Sequence, residues 1–166
     1  MAATRLPGKP LLKINNLSII SHVFKKAEEA NIGEVVVATD DQEILRDVIQ
    51  NGGKAILTNK NHKTGTDRIY EAYEKLDIKN IDYILNLQGD EPDINKDDII
   101  KLNNFMIDQD AELGTLAAKI KDKEIFNNKN VVKVITDKKL EESNFPIALN
   151  FTRDNLSINY QNIYHH

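Results

Sequence analysis

The chain contains no cysteine and no tryptophan. The lack of thiols excludes disulfides, zinc–thiolate sites and cysteine nucleophiles. An excess of positive charge is also missing: 22 Lys and Arg stand against 26 Asp and Glu, a net charge of -4. A general nucleic-acid binder needs a basic face to offset phosphate charge, so that class is set aside. A local basic pocket for a small phosphate ligand remains compatible with this balance. No apolar run approaches the roughly 20 residues that span a bilayer. Met1 is followed by no apolar secretory core. The expectation is a cytoplasmic protein with neither a membrane nor a nucleic-acid partner. Internal repeats, linkers and low-complexity stretches are absent as well.

What is present is a globular composition, 40% hydrophobic and 29% charged over 166 residues, which suits one domain over 1–166. Ser18 caps a predicted helix to about Asn31, with Ile19, Ile20, Val23, Phe24, Ala27 and Ala30 at helical spacing. "EVVVATDD" holds a continuous apolar run, Val35 to Val37, as in a strand buried on both faces. Asp40 or Asp41 starts a second helix, and "KAILT" reads as a strand. Thr66 or Asp67 is the expected cap of a third helix. "DYILNLQGDEP" reads as a strand breaking into a polar loop, followed by a helix from about Lys96 to Asp108. "LGTLAAKI", "VVKVIT" and "IALNF" are further expected strands, with a short helical turn in "KDKEIFNN". The alternation up to Asp108 predicts an α/β domain with a largely parallel sheet. Ligands of such sheets bind where strands end and loops begin. That rule picks out "ATDD" and "QGDEPD".

Gly89 permits a sharp turn beside Gln88, Asp90 and Glu91, and Pro92 stiffens its exit. A carboxylate held there suits Mg²⁺, which takes one or two protein carboxylates plus ligand phosphates. An acidic solvated loop explains the same residues. In "NHKTGTDR", Thr64, Gly65 and Thr66 precede a helix, whose N-terminus attracts anions. Plain helix capping accounts for these residues too. "TRLPGKP" lacks P-loop spacing and has no strand before it. Arg5 and Lys9 are nonetheless cations on a loop pinned by Pro7 and Pro10, suited either to phosphate contact or to a basic surface. His62 shows no partner in the sequence and reads as a loop residue.

Taken together, "ATRLPGKPL", "VVVATDD", "HKTGTDR", "LNLQGDEP" and "NVVKVITD" resemble the 3-deoxy-manno-octulosonate cytidylyltransferase (CMP-Kdo synthetase) family, in order and approximate spacing. The wider sugar nucleotidyltransferase group shares the first and fourth fragments loosely. The His-x-Ser/Thr-Gly-Thr-Asp-Arg element separates the Kdo enzymes from the sialic-acid enzymes. The resemblance implies a three-layer α/β/α nucleotide-diphospho-sugar transferase (Rossmann-like) fold with a mixed, mostly parallel sheet. It implies transfer of CMP from CTP to Kdo, releasing pyrophosphate, with Mg²⁺, in the lipopolysaccharide biosynthesis of a Gram-negative bacterium. It assigns Arg5 and Lys9 to the triphosphate and Asp90 to the metal, these three forming the catalytic set. Asp40, Thr64, Gly65, Thr66 and Gln88 match nucleotide-side positions. "NFTR" places Arg153, and "NIYHH" places His166, at positions near the sugar. An arginine suits the Kdo carboxylate because its planar fork pairs bidentately.

The sequence departs from the family pattern in places. Thr64 and Thr152 stand where serine is usual, and "KKLEESNFPIALNF" is longer or looser than the usual turn. The pattern's first strand, and its C-terminal third with a second metal-binding aspartate, have no counterpart here. The expectation is therefore an internal fragment, incomplete at both ends, with little activity by itself, from a parent that is a homodimer. The competing expectations are a related nucleotidyltransferase using another nucleotide or acidic sugar, and a non-catalytic remnant.

Overall fold

Lys-Ile-Asn-Asn-Leu-Ser folds back on itself because Asn15 and Asn16 both take positive φ, 50° and 68°, the requirement of a tight two-residue hairpin turn. The computed structural model describes residues 8–154 and 162–166. Within them the chain divides into two units, Met1–Ile100 and Lys101–His166. No helix among the described residues is long and apolar enough to cross a membrane.

The first unit opens with a 3-10 turn, Lys9–Leu11. The hairpin strands β1 (Lys13–Ile14) and β2 (Leu17–Ser18) follow. Helix α1 (Ile19–Ala30) is capped by Ser18, whose hydroxyl accepts from the Ser21 N–H at 3.2 Å. It ends at Asn31, in the left-handed conformation that asparagine tolerates. Strand β3 (Val37–Thr39) runs parallel to β4 (Ala55–Leu57), with Val37 opposite Ala55. Between them α2 (Gln42–Gln50) starts on Asp41, which accepts from the Glu43 N–H at 2.7 Å. Ile20, Phe24 and Val48 form the core, with Val35, Val37, Ile44 and Ala55 packed against them. One face each of α1 and α2 thus covers the β3–β4 pair. Helix α3 (Gly65–Leu76) and helix α4 (Lys96–Asp108) come next.

In the second unit β5 (Ala118–Lys119), β6 (Lys133–Thr136), β7 (Ala148–Thr152) and β8 (Ile163–His165) build one antiparallel sheet of order β5-β8-β6-β7, and helix α5 (Lys123–Asn127) lies between β5 and β6 in the chain. All four residues of the inner strand β6 are buried.

The helices match expectation closely, except that Thr64, not Thr66 or Asp67, caps α3. Thr64 has the extended backbone of a cap, and its hydroxyl sits three residues before the N–H it satisfies. The strands differ more. Among the described residues the parallel pairing is β3 with β4, while the remaining pairs are antiparallel. The 35–37 run is half-buried, and its strand begins only at Val37. Residues 83–88, expected as a strand, belong to none. Leu85 and Leu87 are half-buried there, whereas Ile84, Asn86 and Gln88 are exposed. The side-chain alternation of a strand is present, but a ladder also needs a hydrogen-bonding neighbour, which alternation cannot supply.

Candidate active site

Two residues 81 positions apart meet in the first unit: Lys9 Nζ donates to Asp90 Oδ2 at 2.8 Å. Gly8, at φ 74°, swings the chain into the turn that presents Lys9, with Pro10 behind it. Asp90 arrives on a turn closed by the Glu91 N–H to the Gln88 carbonyl at 3.4 Å. Gly89 lets this turn lie against the core: a Cβ there would stand 2.5 Å from Ile20 Cδ1. Both charged side chains are about a third or more exposed, 35% and 43%. A pair this exposed contributes only about 0–1 kcal/mol to stability. Its value is chemical, because a cation and a carboxylate lie within reach of one ligand. Gln88 is exposed beside them.

A second cluster closes the ends of β3 and β4. Arg68 is buried, and its guanidinium sits 3.2 Å from Asp40 Oδ1. It also donates to Thr58 Oγ1 at 2.6 Å and to the Asn59 carbonyl at 3.3 Å. Asp40 is thereby fixed at the tip of β3. At the start of α3, the Thr64 hydroxyl accepts from the Asp67 N–H at 3.1 Å and donates to its carboxylate at 2.7 Å. That hydroxyl is committed to capping. The main-chain N–H groups of Gly65 and Thr66, in the first turn, carry what anion attraction the helix end offers. His62 does have a partner. Its Nε2 pairs with Glu71, which also takes the Asn59 N–H at 2.9 Å and Lys75 Nζ at 2.7 Å. Lys75, then Asn59, then His62 hold the Glu71 carboxyl down at about 2.

The second unit gathers Arg153 and His166, the two residues expected near the sugar, at one end of its sheet. Lys133 of β6 lies opposite Thr152 on one side and His165 on the other. Arg153 and His166 follow those neighbours directly, so both leave the sheet at the same end. The His166 N–H bonds the Val132 carbonyl at 3.0 Å. Its ring lies 2.9 Å from Thr115 Oγ1 and edge-on to Phe151 at 5.0 Å. Arg153 Nη1 donates to the Asn130 carbonyl at 2.7 Å.

Arg5 lies outside the described residues. Arg68 and Glu71 were not among the residues singled out from the sequence. A signal for them existed: Arg68, Glu71, Ala72 and Lys75 recur at three- and four-residue spacing, so they share one face of α3. On that face Arg68 and Ala72 are buried, Glu71 is half-buried and Lys75 is exposed.

Residues 1–166 match the cytidylyltransferase family over their whole length. The chain belongs to the cytidylyltransferase family. A 3-deoxy-manno-octulosonate cytidylyltransferase of Nitrobacter hamburgensis is 48% identical over 136 residues, 81% of this chain and 53% of the relative. One from Rhodopseudomonas palustris is 43% identical over 167 residues, covering 100% of this chain and 67% of the relative. A solved structure of CMP:2-keto-3-deoxy-manno-octonic acid synthetase, complexed with CTP, is 37% identical with a TM-score of 0.80. It covers 98% of this chain and 66% of that one. The chain thus spans about half the length of the first relatives it matches, 53% and 54%. The expected fold is confirmed as that of the nucleotide-sugar transferases, α/β with both parallel and antiparallel strand pairs.

Proposed function

We propose that this chain carries the nucleotide and sugar sites of a cytidylyltransferase that moves CMP from CTP onto Kdo. The observation that carries the reading is the meeting of Lys9 with Asp90. In-line attack by the anomeric hydroxyl oxygen of Kdo on the α-phosphorus forms one P–O bond. The bond to the bridging oxygen breaks, pyrophosphate leaves, and the hydroxyl proton is lost to solvent water. Positive charge has to hold the triphosphate through this step. Lys9, with Arg5, suits that task once phosphate oxygens draw Lys9 away from Asp90. Asp40, held by Arg68, the Gly65–Thr66 amides with capping Thr64, and Gln88 would serve the nucleotide. Arg153 and His166 would face the acid sugar.

Mg²⁺ fits Asp90. The carboxylate is a partly exposed hard oxygen donor. A site with one protein carboxylate suits an ion that keeps phosphate and water ligands. Such an ion supplies charge neutralisation on the phosphates. The reading extends, through the family resemblance alone, to a cytoplasmic supply of activated sugar for lipopolysaccharide in a Gram-negative bacterium, with the full-length protein a homodimer.

The test is nucleotide-dependent thermal stabilisation with CTP, UTP and GTP, together with pyrophosphate release when Kdo is added. CTP should stabilise most, and Lys9→Met should remove most of that shift at nearly unchanged intrinsic stability. Equal shifts with all three nucleotides, or an unchanged CTP shift in Lys9→Met, would overturn the reading.

A further inference from the structure

Among the described residues, the largest side chain buried completely is a lysine. Lys133 is 0% exposed at the start of β6. A methionine would fill the same space without carrying a charge out of water, so packing does not explain the choice. Its hydrogen bonds do. Lys133 Nζ donates to the Asn128 carbonyl at 2.9 Å and to the Arg153 carbonyl at 3.3 Å. The first belongs to the loop that enters β6, the second to the residue leaving β7. The Arg153 side chain reaches back to the same loop, 2.7 Å from the Asn130 carbonyl. The Val131 N–H bonds the Asn128 carbonyl at 3.1 Å, which closes the loop as a turn. One buried ammonium therefore fixes both the main chain of Arg153 and the loop on which its guanidinium rests. His166 leaves the neighbouring strand at the same end, beside Val132.

We infer that Lys133 is the positioning residue for Arg153, setting the guanidinium for an anionic sugar without touching the sugar itself. The part that concerns the sugar rests on the proposed role of Arg153; the part that concerns Arg153's order does not. Removing the ammonium frees the Arg153 carbonyl and loosens the 128–131 loop, so the guanidinium loses its fixed direction. The fork geometry that favours arginine for a carboxylate depends on that direction.

The experiment uses the whole chain with Lys133→Met, Arg153→Ala and the double variant. Order at Arg153 is read from the ¹⁵N relaxation of its guanidinium N–H. Affinities for Kdo and for CTP are read by titration. Lys133→Met should lower the Arg153 order parameter, weaken Kdo by about tenfold, and leave CTP within twofold. The double variant should bind Kdo no more weakly than Arg153→Ala alone, because the two act through one contact. An Arg153 order parameter unchanged in Lys133→Met overturns the inference, whatever binds. So does a parallel loss of Kdo and CTP affinity, which marks a merely structural lysine. If Lys133→Met does not fold, Lys133→Arg replaces it and is expected to keep both contacts and near-normal Kdo affinity; loss of Arg153 order there counts against the inference. Should Arg153 loosen as expected while Arg153→Ala leaves Kdo affinity intact, the positioning stands and the sugar role of Arg153 falls.

Discussion

Glu71 collects Lys75, the Asn59 N–H and His62 on one carboxylate, and through them it shapes the loop that leads to Thr64. Its folded-state pKa, about 2, lies below the ordinary 4.5. A carboxyl depressed on folding contributes stability that is fully present above the unfolded value and fades as pH falls through the folded one. The window is therefore from about 4.5 down to about 2. Glu71→Gln should denature at lower urea than the parent protein near neutral pH, and the gap should close as the pH approaches about 2. A gap constant across that range would show that the charge of Glu71 is not what holds the loop. At this scale the sequence was read unevenly. Asp40 and Asp90 were singled out because ligands of α/β sheets bind where strands end, and Lys9 because it is a cation on a loop pinned by prolines. Arg68 and Glu71 were not singled out, although their spacing on one face of α3 was there to see, and Lys133 was not, since a buried charge looks like any surface charge until its partners are known. Lys133 even sits inside a run, Val-Val-Lys-Val-Ile, whose apolar character marks the strand and hides the lysine.

Helices α1 to α4 were legible almost to the residue, whereas the strands were not. A helix satisfies its own hydrogen bonds and announces its ends with local caps, as Ser18 and Asp41 do. A strand is completed by residues far away in the chain, so residues 83–88 carry the alternation and remain outside any ladder. The link from α2 into β4 shows what local sequence can demand. Gly53 follows the helix with its N–H on the Val48 carbonyl at 2.8 Å. A Cβ there would stand 2.7 Å from Val48 Cγ1 and 3.1 Å from the Phe24 ring. Val48 is β-branched, 1% exposed and on a helix, so its methyl has no other rotamer to take. Gly53→Ala should cost about 1–3 kcal/mol, the usual range for forcing extra volume into a packed core. Gly33→Ala, where a Cβ meets nothing within 4 Å, is the control and should stay within about 0.5 kcal/mol of the parent. Urea midpoints read both, and equal midpoints for the two variants would contradict the packing argument.

Across the whole molecule, the proposed contacts sort by unit. Lys9, Asp40, Thr64, Gly65, Thr66, Gln88 and Asp90 belong to Met1–Ile100, and Arg153 and His166 to Lys101–His166. The reaction class was an expectation from five fragments that resemble one family in order and approximate spacing, and the two positions expected near the sugar, Arg153 and His166, come later in the chain. The sorting has a measurable consequence. A ligand stabilises the segments it contacts against local opening, and amide exchange reports that protection segment by segment. CTP should slow exchange in residues 9–12, 40–43, 64–68 and 88–91 while leaving β6, β7 and β8 near their unliganded rates. Kdo should slow residues 113–116, 128–133, 151–154 and 163–166, with the strongest effect beside Arg153. The loop 128–131 is the most telling segment, because Arg153 and Lys133 both bond its carbonyls. Protection by CTP confined to the antiparallel sheet, with the 88–91 turn unaffected, would show that nucleotide and sugar had been assigned to the wrong units.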